Sequence, residues 1–126
     1  MRIETSKLEG AALDWAVGIA LNGNLVMNDI YGAGVLLPSA IRREVEVGRM
    51  RPSTDWSQGG PLIEILVEKH SPLEFWERDG SFFVSQEEYG VLLWAEKGAS
   101  LLIAAMRAIV SSEIGDTVDI PEELLP

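Results

Sequence analysis

The side chains that could perform chemistry lie mostly between residues 51 and 70. The single histidine, His70, would have to serve in any hydrolytic triad, paired-histidine metal site or histidine general base. Ser53 or Ser57 could join His70 and Asp55 in a Ser-His-Asp arrangement, but no Gly-x-Ser-x-Gly turn presents either serine as a nucleophile. His70 also falls at the end of a predicted helix, where the helix dipole favours a protonated imidazole without any catalysis. We therefore assign no catalytic residue.

A glycine pair, Gly59-Gly60, stands directly before Pro61 and could present backbone amides to an anion at a helix N-terminus. Proline removes one of these donors, and the chain has neither a Walker loop nor a Gly-x-Gly-x-x-Gly motif. The absence of cysteine excludes thiolate chemistry, and no loop has the spaced acids of an EF-hand. We predict no cofactor and no metal ion. A small hydrolase-like or ligand-binding enzyme with its site at residues 53–61 is an alternative.

The charge of the chain restricts its partners. Twenty acidic and ten basic residues give a formal net charge of −10, which repels nucleic-acid backbones and anionic membranes. An acidic mimic of nucleic acid is a second alternative, but the basic cluster from Arg42 to Arg51 argues against it. The sequence has no apolar run of membrane-spanning length and no signal peptide at its start, so we predict a cytoplasmic protein without membrane contact.

Helical periodicity and capping signals predict three helices, over residues 7–21, 60–69 and 99–113. Ser6 and Glu9 match a capping box for the first helix. Pro61 suits the first turn of the second helix, and Ser71-Pro72 should end it. Gly115 is the predicted C-terminal cap of the third helix.

Small residues predict close packing between helices. Gly10 and Gly18 weaken the first helix unless they allow another element to approach closely. Ala104, Ala105 and Ala108 lie in the last helix, where their size would admit a neighbouring helix. The alanine-rich first helix is the expected partner.

Strand signals are strongest around Asp79-Gly80, a dipeptide typical of tight hairpin turns. It predicts strands at 73–77 and 81–85. The tail at 118–125 alternates once and breaks at Pro121, which predicts an edge strand or a clasp.

Residues 24–52 contain short apolar runs broken by turn formers, which we interpret as a scaffold loop or an insertion. Within this segment the alternation at 44–47 predicts one strand. The elements together predict an α+β fold in a single domain over residues 1–126. Two main amphipathic helices would pack on a small, mostly antiparallel sheet.

Two of the four tryptophans bear on function. Trp15 lies on the apolar face of the first predicted helix and should be buried in the core. Trp56 lies between Asp55 and Gly59 in a predicted loop, where it either plugs the core or forms a binding platform. The sequence leaves both interpretations open.

Four segments together resemble the NinX-like family of small phage and prophage proteins. They are LEGAALDWAV at 8–17, STDWSQGGPLIE at 53–64, LLIAAMRAIV at 101–110 and GDTVDIPEEL at 115–124. The resemblance implies a phage or prophage origin and a bacterial cytoplasm. It implies no biochemical activity and no catalytic residues.

The same segments predict a binding site where the loop meets the first helix, with a partly buried ion pair between Glu64 and Arg107 behind it. The leading hypothesis is a non-enzymatic accessory protein that binds a host or phage protein through the loop at 53–61, or through a self-associated surface of a homo-oligomer. The candidate binding residues are Asp14, Thr54, Asp55, Trp56, Gln58, Gly59 and Gly60.

Overall fold

The computed structural model describes residues 1–32 and 34–125. Its helices are α1 Gly10–Ala20, α2 Leu25–Tyr31, α3 Pro38–Glu46, α4 Trp56–His70 and α5 Leu101–Glu113. Its strands are β1 Arg2–Glu4, β2 Leu73–Arg78, β3 Ser81–Glu88, β4 Val91–Gly98 and β5 Thr117–Asp119. Short 3₁₀ turns occupy Thr5–Lys7 and Glu122–Leu124. The strands form two antiparallel sheets, β1-β5 and β2-β3-β4, and the predicted α+β class is confirmed.

Helix α5 is the centre of the fold. Ser100 caps its N-terminus, because the Ser100 hydroxyl accepts a hydrogen bond from the backbone N–H of Ile103 at 3.1 Å. The helix contacts α1 and α4 as well as strands β3 and β4, so it is apolar on several faces rather than amphipathic. Its buried residues are Leu102, Ala104, Ala105, Met106, Ala108, Ile109 and Val110. The predicted packing of this alanine-rich helix on the first helix is confirmed.

Two hairpin turns build the three-stranded sheet. Asp79 and Gly80 take φ values of 54° and 81°, so the predicted hairpin of β2 and β3 is confirmed. Tyr89 and Gly90 repeat this conformation with φ values of 53° and 78° and connect β3 to β4. The second turn and the strand β4 were not predicted, because Tyr-Gly lacks the side-chain signal that Asp-Gly provides.

The prediction of a loop and a strand within residues 24–52 is wrong. The Asn24 side chain caps α2 by accepting from the N–H of Val26 at 2.9 Å, and α3 begins at Pro38. Ile41 and Val45 are buried four residues apart on one face of α3, which is the helical period. The alternation at 44–47 is therefore the edge of a helical pattern and not a strand.

Two predicted helix starts are wrong. The first helix begins at Gly10, with Glu9 at the N-cap and no side-chain cap, so the capping box at Ser6 is not formed. A separate 3₁₀ turn occupies Thr5–Lys7, and the Thr5 hydroxyl donates to the carbonyl of Gly115 at 2.6 Å. Helix α4 begins at Trp56 rather than near 60 because Asp55 caps it, which places Pro61 inside the helix.

The expected close packing is confirmed at one of the two glycines of α1. A Cβ atom on Gly18 would lie 2.6 Å from Cγ2 of Ile41 and 2.8 Å from Sδ of Met50, so only glycine lets α3 approach. The space around Gly10 is open, and this residue instead takes a left-handed φ of 56°.

The two chain ends lie side by side. Ile3 of β1 opposes Val118 of β5, and the N-terminal amine donates to the carbonyl of Ile120 at 2.9 Å. The prediction of an edge strand or clasp in the tail is confirmed. Among the described residues, no helix has the length and apolar character needed to span a membrane.

Candidate binding site

The loop before α4 is fixed to the middle of α1 by a buried carboxylate. Asp14 is 5% exposed, and its Oδ1 accepts a hydrogen bond from the backbone N–H of Ser53 at 2.8 Å. Burial raises the pKa of Asp14, and its contacts with Ser53 oppose part of that shift. Asp14 therefore holds the loop in place and exposes almost no surface to a partner.

Gln58 ties the same loop together from the first turn of α4. Its Oε1 accepts from the N–H of Arg51 at 2.9 Å and from the hydroxyl of Tyr31 at 2.5 Å. Its Nε2 donates to the carbonyl of Arg49 at 3.0 Å. One side chain thus joins α4 to α2 and to the segment between α3 and α4.

The Tyr31 hydroxyl lies among acidic groups. Burial raises the pKa of Tyr31 well above its ordinary value, and the negative charges of Asp14 and Asp55 raise it further. The hydroxyl therefore stays protonated and serves as the donor to Gln58. Tyr31 was missed in the sequence because it falls in a segment without a recognised element.

Asp55 is the N-cap of α4. Its Oδ1 accepts from the N–H of Ser57 at 2.9 Å and from the Ser57 hydroxyl at 2.6 Å. Its Oδ2 pairs with Nε of Arg51 at 3.3 Å. The hydrogen bonds from Ser57, and then the charge of Arg51, lower the pKa of Asp55. Asp55 is therefore an ionised capping group rather than a free general base.

The two candidate glycines differ in their surroundings. A Cβ atom on Gly59 would collide with the carbonyl oxygen of Pro52 and lie 2.6 Å from Cδ2 of Leu102. At Gly60 the nearest atom would be Cε3 of the Trp56 ring, at 3.9 Å. Gly59 is a buried contact between α4, the loop and α5, whereas Gly60 lies next to the indole.

Trp56 is the largest exposed group of the site. Its side chain is 56% exposed, so it does not plug the core. Thr54 and Ser57 beside it are also exposed. We call Thr54, Trp56 and Ser57 the Trp56 surface. Of the predicted residues, Asp14, Gln58 and Gly59 form its rigid support.

The structure does not assemble the hydrolytic triad. Ser53 is 2% exposed, so its hydroxyl is not presented to a substrate. His70 lies at the opposite end of α4 from Asp55, roughly 20 Å away at 1.5 Å per residue. The His70 ring meets Trp94 edge-on, with centroids 5.7 Å apart.

The predicted ion pair between Glu64 and Arg107 is wrong. Glu64 is exposed on α4. The Arg107 guanidinium instead donates to two backbone carbonyls, from Nε to Leu8 at 2.8 Å and from Nη1 to Lys97 at 2.6 Å. Arg107 therefore joins α5 to the residues before α1 and to β4, away from the Trp56 surface.

The fold and site define a small α+β protein with an exposed aromatic surface on a hydrogen-bonded support. A family model described as Bacteriophage P22, NinX matches residues 4–113. The chain belongs to this family, which makes it a phage-associated protein, and the resemblance noted in the sequence is confirmed. A comparison with curated proteins finds no match.

Proposed function

We propose that the chain is a non-enzymatic accessory protein that binds a host or phage protein through the Trp56 surface, in the cytoplasm of a bacterial host. The observation that carries this proposal is the 56% exposure of Trp56 at the start of a firmly capped helix. Tryptophan is enriched among the few residues that dominate the free energy of protein–protein binding.

The support favours recognition because it is already ordered. Asp14, Asp55 and Gln58 fix the backbone on both sides of Trp56 through hydrogen bonds of 2.8 to 3.0 Å. A surface that is ordered before binding loses less conformational entropy when its partner arrives. The net charge of −10 further favours a partner with a basic surface.

The structure supports the two alternatives, a small hydrolase-like enzyme and an acidic mimic of nucleic acid, less well. A hydrolase of the Ser-His-Asp type would need a histidine near Ser53, and the only histidine in the sequence lies at the far end of α4. A nucleic-acid mimic would need rows of free carboxylates. Several carboxylates are instead paired with arginine, including Glu46 with Arg42, Glu44 with Arg49 and Asp55 with Arg51.

Trp56→Ala tests the proposal. The variant should change the free energy of unfolding by less than about 1 kcal/mol, since truncation of a core aromatic would cost about 3–5 kcal/mol. Leu25→Ala is the matched control, because Leu25 is an exposed apolar side chain on α2 with 79% exposure.

Binding is measured by quantitative affinity enrichment from infected host cells with the wild type and both variants. Titration calorimetry with the purified enriched protein then gives the dissociation constant. Trp56→Ala should weaken binding by at least about 30-fold, the effect of a 2 kcal/mol contact. Equal binding by the wild type and Trp56→Ala would refute the Trp56 surface as the binding site.

A further inference from the structure

The strand β2 is an edge strand whose outer side is open. Its hairpin fixes the direction of each backbone group, because Arg78 and Ser81 flank a two-residue turn and form a hydrogen-bonded pair. By alternation, Arg78, Trp76 and Glu74 direct their N–H and C=O groups to β3. Leu73, Phe75 and Glu77 direct theirs outward. Within the described chain no hydrogen bond reaches these outward groups.

The other edge of the same sheet is closed at its end, where β4 runs into α5. The backbone of Lys97 in β4 faces away from β3 by the same alternation, and its carbonyl accepts a hydrogen bond from Arg107 of α5. The strand continues through Gly98 into α5, and a Cβ atom on Gly98 would lie 2.6 Å from the backbone nitrogen of Ala104. A register shift at Gln86/Glu87 further distorts the pairing of β3 with β4. Strand β2 is thus open along its whole length, whereas β4 is closed at Lys97.

Strand β2 carries three charged residues but lacks other features that protect an edge from pairing. It contains no proline, no lysine and no register shift. Phe75 and Trp76 are each 39% exposed on opposite faces of the strand. The Trp76 ring is also fixed in place, stacked on Phe83 at 4.0 Å with its Nε1 donating to Ser85 Oγ at 3.1 Å. An ordered edge with two exposed aromatic side chains is suited to pairing with another strand.

The charges of β2 select one register for pairing with itself. In an antiparallel pair of two β2 strands, residues whose N–H and C=O groups point outward must lie opposite one another. Because these are every second residue, the two-fold axis that relates the copies passes through a residue and not between two residues. When the two-fold axis passes through Trp76, Glu74 of each copy lies opposite Arg78 of the other copy. Phe75 of each copy then lies opposite Glu77 of the other. These two pairs are of the hydrogen-bonded type and together supply about four backbone hydrogen bonds.

The neighbouring registers lack this complementarity. An axis at Glu77 or at Glu74 places two like carboxylates face to face, which is destabilising. When the axis passes through Phe75, Glu74 lies opposite Trp76, and Arg78 extends past the first residue of β2 in the other copy and has no partner in that strand. The Trp76-centred register therefore pairs Glu74 with Arg78 on both sides of the axis and places no two like charges opposite each other.

We propose that two copies of the chain join β2 to β2 in antiparallel register centred on Trp76, and so merge their three-stranded sheets into one continuous sheet. This interface is distinct from the Trp56 surface. The Glu74–Arg78 and Trp76–Trp76 pairs of the β2–β2 interface are of the non-hydrogen-bonded type, in which opposed side chains approach most closely.

Charge reversal of the full-length chain tests this interface by sedimentation velocity across a range of concentrations. The wild type should dimerise. Glu74→Arg and Arg78→Glu should each raise the dissociation constant by at least about tenfold. The double variant that exchanges the two charges should restore the wild-type value. Glu87→Arg, on β3 at a distance from the β2 edge, is the matched control and should dimerise like the wild type.

Cysteine cross-linking tests the register without relying on charge, because the chain contains no cysteine. A mixture of the Glu74→Cys and Arg78→Cys proteins should form a disulfide-linked dimer under mild oxidation, and each protein alone should not. A wild type that stays monomeric at all concentrations overturns the proposal. So does a double exchange that fails to restore dimers, or cross-linking that is equal in the separate and mixed samples.

Discussion

Asp14 and Ser53 are 39 residues apart in sequence, and the Asp14 carboxylate accepts the backbone N–H of Ser53 at 2.8 Å in the protein interior. This bond joins the middle of α1 to the loop that precedes α4. The orientation of the Trp56 surface therefore depends on a carboxylate that is itself shielded from any partner.

Asp14→Ala should lower the free energy of unfolding by about 1–3 kcal/mol, because it leaves the buried N–H of Ser53 without an acceptor. The measurement is urea unfolding at neutral pH. Asp29→Ala, at an exposed position on α2, is the control and should change stability by no more than about 0.5 kcal/mol. Equal effects of the two substitutions would contradict a structural role for Asp14.

Asp14→Asn tests the raised pKa of the same carboxyl group. Because the folded-state pKa lies above the ordinary value of 3.8, protonation of Asp14 favours the folded state. The wild type therefore loses this contribution to stability as pH rises from about 3.8 through the folded-state pKa. Asparagine keeps an oxygen acceptor and carries no charge, so the variant should gain stability relative to the wild type over that window. Urea unfolding of both proteins at each pH measures the difference in their free energies of unfolding. If the advantage of Asp14→Asn became smaller as pH rises, the pKa of Asp14 would be lowered and not raised by folding.

Gln58→Ala should loosen the loop on the other side of the site. The substitution removes the acceptor for the Arg51 N–H and the Tyr31 hydroxyl, and the donor to Arg49. We expect faster hydrogen exchange of the Arg51 amide and a loss of about 1–3 kcal/mol of stability. Amide exchange followed by NMR tests this, with Gln86→Ala as the control because Gln86 contacts Trp94 instead. Unchanged exchange at Arg51 would be inconsistent with the assigned bond.

The parts of the fold that sequence predicts correctly are those with strong local signals. The hairpin at Asp79-Gly80 and the apolar run of α5 follow from turn chemistry and helical periodicity alone. Helices α2 and α3 escape prediction because they are short and are bounded by glycine and proline, so their limits depend on caps and tertiary contacts.

In the candidate site, too, local sequence signals predict some features, and others depend on tertiary contacts. The motif at 53–60 is visible in sequence, and Asp14 indeed contacts it. The sequence does not reveal which of these residues face the solvent, because Gly59 and Gly60 are adjacent and identical in type yet differ in packing. Arg107 was assigned to the wrong partner because its acceptors are backbone carbonyls, which leave no side-chain signal to pair with.

The two glycines therefore make a sharp paired test. Gly59→Ala should be destabilising by about 1–3 kcal/mol or more, since the new methyl group would collide with the backbone of Pro52 and with Leu102. Gly60→Ala should be neutral or stabilising by up to about 1 kcal/mol, because alanine favours the helix and its methyl group has room. Thermal and urea unfolding of both variants provide the comparison. Equal stability of the two variants would contradict the packing at Gly59.

Arg107 stabilises the fold through geometry as much as through charge. Its two nitrogens reach carbonyls of Leu8 and Lys97 that no single ammonium group could meet in the same way. Arg107→Lys should therefore lose stability, by about 1–3 kcal/mol, and Arg107→Ala should lose at least as much. Arg43→Lys, at an exposed position on α3, is the matched control and should stay within about 0.5 kcal/mol of the wild type. Because the bond to Lys97 also closes the outer edge of β4, both Arg107 variants should exchange the amide protons near the end of β4 faster. If Arg107→Lys kept the full stability and amide protection of the wild type, a positive charge at this position would be enough to stabilise the fold, and the geometry of the guanidinium group would not matter.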